Sequence, residues 1–130
     1  KAAEAKTDVR YDYMNGLKRF ESREYSSAIT LFTRYISNFP AGRSIHHARY
    51  HLAESYFRTK DYQNSILKYE EYKEKFPKGA RVAEAIYKQA LAFKGLGKMS
   101  DAKLFLEDLI ANYPASTFAK DAKVELERLK

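Results

Sequence analysis

Three histidines and one glutamate are the first residues that could do chemistry. His47 and His51 stand four residues apart, His46 precedes them, and Glu54 follows about a turn later. On a helix, that spacing would gather His47, His51 and Glu54 on one face, offering a metal two imidazoles and a carboxylate. No second ligand cluster exists, and no Glu is placed as in the zinc-protease motif. The histidines are therefore expected at the surface near a groove, with no metal and no cofactor. Catalysis has little else to build on. The chain has no cysteine, no glycine-rich phosphate loop and no G-x-S-x-G. Its acidic residues stand mostly at helix starts or among lysines, where they read as solvated pairs. A non-enzymatic protein without a small-molecule substrate is the expectation.

A second set of residues suits binding. Tyr13, Leu17 and Phe20 are spaced i, i+4, i+7, and the same spacing recurs in Tyr50, Glu54, Phe57 and in Tyr87, Leu91, Lys94. On helices each trio forms one stripe. Tyrosine suits a partly exposed stripe, having a broad apolar face and a polar tip. Arg58, Lys88 and Lys94 outnumber Glu54 there, which points equally to an acidic or carboxylate-bearing ligand and to a solvated charged rim.

The elements that must carry these stripes are written in a repeat. Phe39-Pro40, Phe76-Pro77 and Tyr113-Pro114 lie 37 residues apart both times, and they contain every proline of the chain. The same offset aligns Tyr13, Tyr50 and Tyr87; Gly16, Ala53 and Ala90; Tyr25, Tyr62 and Met99; Ala28, Ser65 and Ala102; and Phe32, Tyr69 and Leu106. A period of this size means stacked supersecondary units. Within each unit the apolar spacing is helical and nothing alternates as a strand would. Helices are predicted near 7–22, 25–38, 44–59, 62–75, 80–96, 99–112 and 116–129, with Ser44 and Ser116 as N-caps. Each proline stops the helix before it. Gly16, Ala53 and Ala90, opposite Ala28, Ser65 and Ala102, let the two helices of each hairpin approach closely.

The ends differ from the middle. Asp12, Asn15 and Arg19 are polar where the later units turn largely apolar, as suits a face with no preceding repeat to cover it. Residues 116–129 restart a first helix without a second, carrying one apolar stripe of Phe118, Ala122, Leu126 and Leu129, as a capping helix should. Net charge is +7, but basic and acidic groups number 7 and 5 over residues 1–40, 8 and 5 over 41–80, and 9 and 7 over 81–130. So even a spread favours solubility over a nucleic-acid surface, although a basic helical module for RNA or another polyanion stays as an alternative.

These residues resemble the tetratricopeptide repeat: small at position 8, aromatic at 17, small at 20, aromatic or apolar at 24 and Pro at 32. The period is 37 rather than 34, and Tyr35, Tyr72 or Leu109 stands where the family has a small residue. The resemblance implies an all-α, right-handed solenoid of three helix-turn-helix repeats (about 9–43, 44–80 and 81–115) and a capping helix at 116–129, after a helical lead-in over 1–8. It also implies that the first helix of each repeat lines a concave groove. Tyr13, Leu17, Phe20, Tyr50, Glu54, Phe57, Arg58, Tyr87, Lys88, Leu91 and Lys94 would then contact a partner peptide or helix, with a half-exposed Tyr50 as the central hot spot. The carboxylate clamp of chaperone-binding domains is disfavoured, since Tyr13 and Leu17 replace its Lys and Asn.

The longer linkers, Phe76-Pro-Lys-Gly-Ala-Arg-Val-Ala-Glu-Ala85 and Tyr113-Pro-Ala-Ser-Thr-Phe-Ala-Lys-Asp-Ala122, resemble the C-terminal domain of the periplasmic Tol–Pal-associated cell-division coordinator family. That resemblance implies a periplasmic location, contact with the energy-transducing Tol protein, a part in outer-membrane constriction, and oligomers through an upstream coiled coil. The β-barrel assembly lipoprotein of the outer membrane has very similar repeats and is the alternative.

Overall fold

The computed structural model describes residues 8–130, which form one short 3-10 turn (Asp8–Tyr11) and seven α-helices. The helices are α1 (Asp12–Glu21), α2 (Tyr25–Asn38), α3 (Ile45–Arg58), α4 (Tyr62–Lys75), α5 (Val82–Gly95), α6 (Met99–Asn112) and α7 (Thr117–Arg128). No strand occurs among the described residues. The seven helices meet the expectation within a few residues, except that the first begins as a 3-10 turn. The lead-in expected over 1–8 lies almost wholly outside the described residues.

Each odd-numbered helix pairs with the next, and each pair stacks on its neighbour through α2–α3, α4–α5 and α6–α7. The first helices of successive units also touch (α1–α3, α3–α5, α5–α7), whereas α2, α4 and α6 do not touch one another. An array whose first helices crowd together while its second helices splay apart curves, with the first helices on the inner face.

Close approach within a hairpin follows from its small residues. Ala28, Ser65 and Ala102 are fully buried, and so are Gly16, Ala53 and Ala90 facing them. A Cβ on Gly16 would stand 2.7 Å from the Phe32 ring, so the hairpin closes there only because the side chain is absent. At the outer turns Arg23, Lys60 and Gly97, again 37 apart, all adopt a left-handed φ of 63°, 65° and 78°. Only the third is glycine, so Arg23 and Lys60 each carry a strain of about 1 kcal/mol.

The tyrosines that depart from the repeat pattern explain the long linkers. The Tyr35 hydroxyl accepts from the Ser44 N–H at 3.0 Å, and the Tyr72 hydroxyl accepts from the Arg81 N–H at 3.3 Å. Each satisfies a backbone donor at the start of the next helix. Gly42 and Gly79 leave room for those hydroxyls; a Cβ on Gly79 would lie 2.8 Å from the Tyr72 oxygen. In the third unit Leu109 has no hydroxyl, and Ser116 replaces the glycine and supplies the cap itself, its Oγ accepting from the Phe118 N–H at 3.0 Å. Ser116 is thus an N-cap as expected. Ser44 holds the N-cap position, but its side chain makes no cap bond; its own N–H is the one the Tyr35 hydroxyl satisfies. Asp61, not anticipated, caps α4 through the Asn64 N–H. Tyr72→Phe should lower stability by about 1–2 kcal/mol in chemical denaturation, since it removes the acceptor for Arg81 and the donor to His46.

Asp12 also departs from expectation. It is 1% exposed, and Arg34 of α2 grips it through two bonds of 2.7 and 3.0 Å. It faces its own hairpin partner rather than an uncovered end. In the second unit the same two positions hold Arg49 and Glu71, an ion pair of 3.5 Å with the signs exchanged. Asn15 and Arg19 are exposed, in keeping with an uncovered end.

The buried side chains fall into two clusters. Ala28, Phe32, Tyr35, Ala48 and Leu52 gather with Tyr13 and Phe20 around the first hairpin. Tyr50, Ala53, Tyr69, Tyr72, Ile86, Leu106 and Leu109 belong to a larger cluster that runs on to the capping helix, where Phe118, Leu126 and Leu129 pack against it. Helix α3 contributes one side to each cluster.

Candidate protein-binding groove

The inner face is built by α1, α3, α5 and α7, so every side chain of the predicted stripes starts from the correct helices. Their exposure divides them. Tyr13, Leu17, Phe20, Phe57, Tyr87, Lys88, Leu91 and Lys94 are half-buried, and Arg58 is exposed. Tyr50 and Glu54 are not available to a partner in this way, being 3% and 5% exposed. The expected half-exposed tyrosine at the centre is therefore a core residue. The reason is what covers the ring: Tyr50 packs 5.8 Å from Tyr69 and Tyr72 of its own hairpin, and the Arg81 guanidinium, from the linker to the next unit, lies 4.4 Å above its face. Tyr13 makes the equivalent hairpin contacts, 5.9 Å to Phe32 and 6.0 Å to Tyr35, but the residue in the place of Arg81 is Ser44, and its ring stays half-buried.

The charges are spent internally. The Glu54 carboxylate accepts from the Tyr69 hydroxyl at 2.5 Å, from Lys88 at 3.1 Å and from Arg58 at 3.0 Å. Burial works against its charge, but Lys88, the Tyr69 hydroxyl and Arg58 together outweigh it and hold its pKa below the ordinary carboxylate value. Burial pushes the Tyr69 hydroxyl well up, and the neighbouring Glu54 charge adds to that. Lys94 is likewise taken, reaching Glu125 of α7 at 2.5 Å. The surplus of free cations expected from Arg58, Lys88 and Lys94 is therefore absent. Arg81, from the linker before α5, makes no ion pair among the described residues and was not anticipated.

One repeat position governs how successive first helices meet. It is held by Met14, His51, Lys88 and Glu125, each 37 residues from the last. His51 meets Phe20 of α1 at 5.2 Å. Lys88 meets Glu54 and stands 5.0 Å from the Phe57 ring of α3. Glu125 meets Lys94 of α5. Three junctions thus share one geometry and use three chemistries: imidazole on aromatic, ammonium on carboxylate, and carboxylate on ammonium. A glutamate at a position that is leucine in the flanking units (Leu17, Leu91) was the available signal that the column held a buried ion pair.

The histidines do not converge. The His46 ring turns to α4, where its Nε2 lies 2.7 Å from the Tyr72 hydroxyl; His51 turns to α1 and α2; His47 is exposed. No three His, Cys, Asp or Glu side chains are grouped to hold a metal among the described residues.

Helix pairs stacked with their first helices inward define a tetratricopeptide-type repeat domain. Across residues 5–130 the sequence matches the YfiO family, described as an outer membrane lipoprotein, and the chain belongs to that family. No curated protein matches it. Its fold is similar to the N-terminal domain of stress-induced protein-1 (STI-1) from C. elegans, with a TM-score of 0.73, 17% identity, and 93% of this chain and 95% of that one covered. It is also similar to the second TPR domain of human RPAP3, solved by NMR with the HSP70 peptide SGPTIEEVD, with a TM-score of 0.72, 20% identity and 95% of each chain covered. At those identities the likeness is one of fold. No helix among the described residues is long and apolar enough to cross a membrane.

Proposed function

We propose that this chain is a protein-binding scaffold of the bacterial envelope, working on the periplasmic side and holding a partner segment along its concave face. The observation that carries the reading is the row of half-buried apolar and aromatic side chains, Leu17, Phe20, Phe57, Tyr87 and Leu91, on helices that face inward. Such side chains gain most when a partner excludes water from them. Repeat domains of this class are typically non-enzymatic. Membership of the outer membrane lipoprotein family supports the envelope and favours a role in β-barrel assembly. The linker resemblance to the Tol–Pal coordinator is the second reading. A polyanion is less well served, because the groove's cations already face carboxylates.

Purifying the full-length protein from detergent-solubilised envelopes, and identifying what accompanies it, tests the proposal. Barrel-assembly components should be recovered, and a Leu17→Glu, Leu91→Glu double variant should lose them about tenfold or more while keeping its helical spectrum. Recovery of the Tol protein would favour the second reading. Undiminished recovery by the folded double variant would remove the groove from the account.

A further inference from the structure

His51 is the polar side chain at the boundary between the two core clusters. Its ring lies 6.2 Å from Tyr13 and 5.2 Å from Phe20 of α1, and is stacked 5.8 Å from Phe32 of α2, all members of the first cluster. On its own helix it meets Tyr50 of the second cluster at 5.9 Å. Nδ1 lies 2.9 Å from the His47 carbonyl, which can only accept, so Nδ1 carries the hydrogen and Nε2 is bare. At the equivalent positions Lys88 and Glu125 make ion pairs across their junctions, so this repeat position holds a neutral, titratable ring at the first junction alone.

We propose that the junction between the first hairpin (α1 and α2) and the rest of the solenoid is an acid-sensitive hinge, which loosens when His51 takes up a proton. An imidazolium there would find little to stabilise it. Two guanidiniums already share its aromatic neighbours, Arg58 5.5 Å from the Phe20 ring and Arg81 4.4 Å from the Tyr50 ring. A third cation would meet like charge and gain only from Tyr13 and the Phe32 face it stacks on. Glu54, the carboxylate on the same helix, is committed to Lys88, Arg58 and Tyr69, and Glu84 of α5 lines the same cleft without bearing on the ring. From α1 and α2 the ring receives only Tyr13, Phe20 and Phe32. Burial, then Arg81 and His47, hold the His51 pKa below its ordinary value, against the opposing pull of the His47 carbonyl and Glu54. A folded-state value below the unfolded one makes the contribution complete above the ordinary histidine pKa and lost as pH falls through that range. The second junction also bears a titratable ring, His46 on the Tyr72 hydroxyl, but the Lys88–Glu54 pair joins α5 to α3 whatever the charge of that ring. It and the third junction would therefore stay closed. Acid would thus part Tyr13 and Phe20 from the rest of the groove without unfolding the domain.

Amide hydrogen exchange at pH 7.5 and 5.5, corrected for intrinsic rates, tests this on the protein without any ligand. Protection in α1 and α2 should fall about tenfold relative to α5–α7 in the wild type. It should not fall in His51→Gln, and His47→Gln should behave as wild type. Equal losses in all helices, or the same loss in His51→Gln, would overturn the proposal. Should His51→Gln fail to fold, the His51 ring resonances of the wild type decide. They should titrate below the ordinary histidine value and in step with α1 and α2 protection, and titration with no change in that protection would be equally fatal.

Discussion

Tyr50→Ala should lower the unfolding free energy by about 3–4 kcal/mol, as expected when a buried aromatic ring is cut back to a methyl group. The ring is almost fully buried between Tyr69 and Tyr72, which are themselves fully buried and cannot collapse cheaply into the void; on its other face lies only the charged Arg81 guanidinium. Tyr50→Phe should behave differently. The Tyr50 hydroxyl makes no hydrogen bond of ordinary geometry among the described residues, Glu84 approaching it only loosely; burial first, then Glu54 and Glu84, push its pKa up. Removing an unsatisfied buried hydroxyl should be neutral or gain about 1 kcal/mol. Denaturation midpoints for the two variants decide. A small loss in Tyr50→Ala would mean that the ring is exposed and available to a partner after all.

Glu54→Ala should cost about 2–3 kcal/mol at neutral pH, at the low end for a broken buried pair because its partners are wetter than it is. The Lys88 and Arg58 side chains are 18% and 47% exposed, so water recovers part of what they lose, whereas the Tyr69 hydroxyl is left buried with no acceptor. The effect carries a pH signature. A carboxylate whose folded pKa is depressed stabilises fully above its unfolded value, and that contribution disappears as pH falls through the folded one. The gap between wild type and Glu54→Ala should therefore be full at pH 7 and shrink below about pH 4. A gap that is constant with pH would mean that the loss comes from packing alone.

Much of the fold was legible because it rests on period. A 37-residue spacing of aromatic–proline pairs sets where helices stop, and small residues at Gly16 and Ala28 set where hairpins close. Neither depends on details beyond the local chain. Exposure along the stripe was less legible, because it depends on what the next linker lays over each ring: Tyr13 and Tyr50 occupy the same repeat position, yet Tyr50 lies under Arg81 where Tyr13 has Ser44. The charges failed for a related reason. Lys88 and Glu54 are 34 residues apart, as are neither helix neighbours nor repeat equivalents, so only the stacking brings them together. Ser44 stands at the N-cap as its position suggests, but the contact made there is its N–H on the Tyr35 hydroxyl of the preceding helix, which local sequence does not reveal.

Photo-cross-linking in intact envelopes tests the groove most directly. A photoreactive side chain would be placed in turn at Leu17 and Leu91 on the concave face, and at Leu67 and Leu104, which are more than half exposed on α4 and α6. A discrete protein adduct should form from Leu17 and from Leu91, undiminished by an excess of the Leu17→Glu, Leu91→Glu variant, and none from Leu67 and Leu104. Adducts from Leu67 and Leu104 alone would contradict the concave groove and move the binding surface to the outer helices.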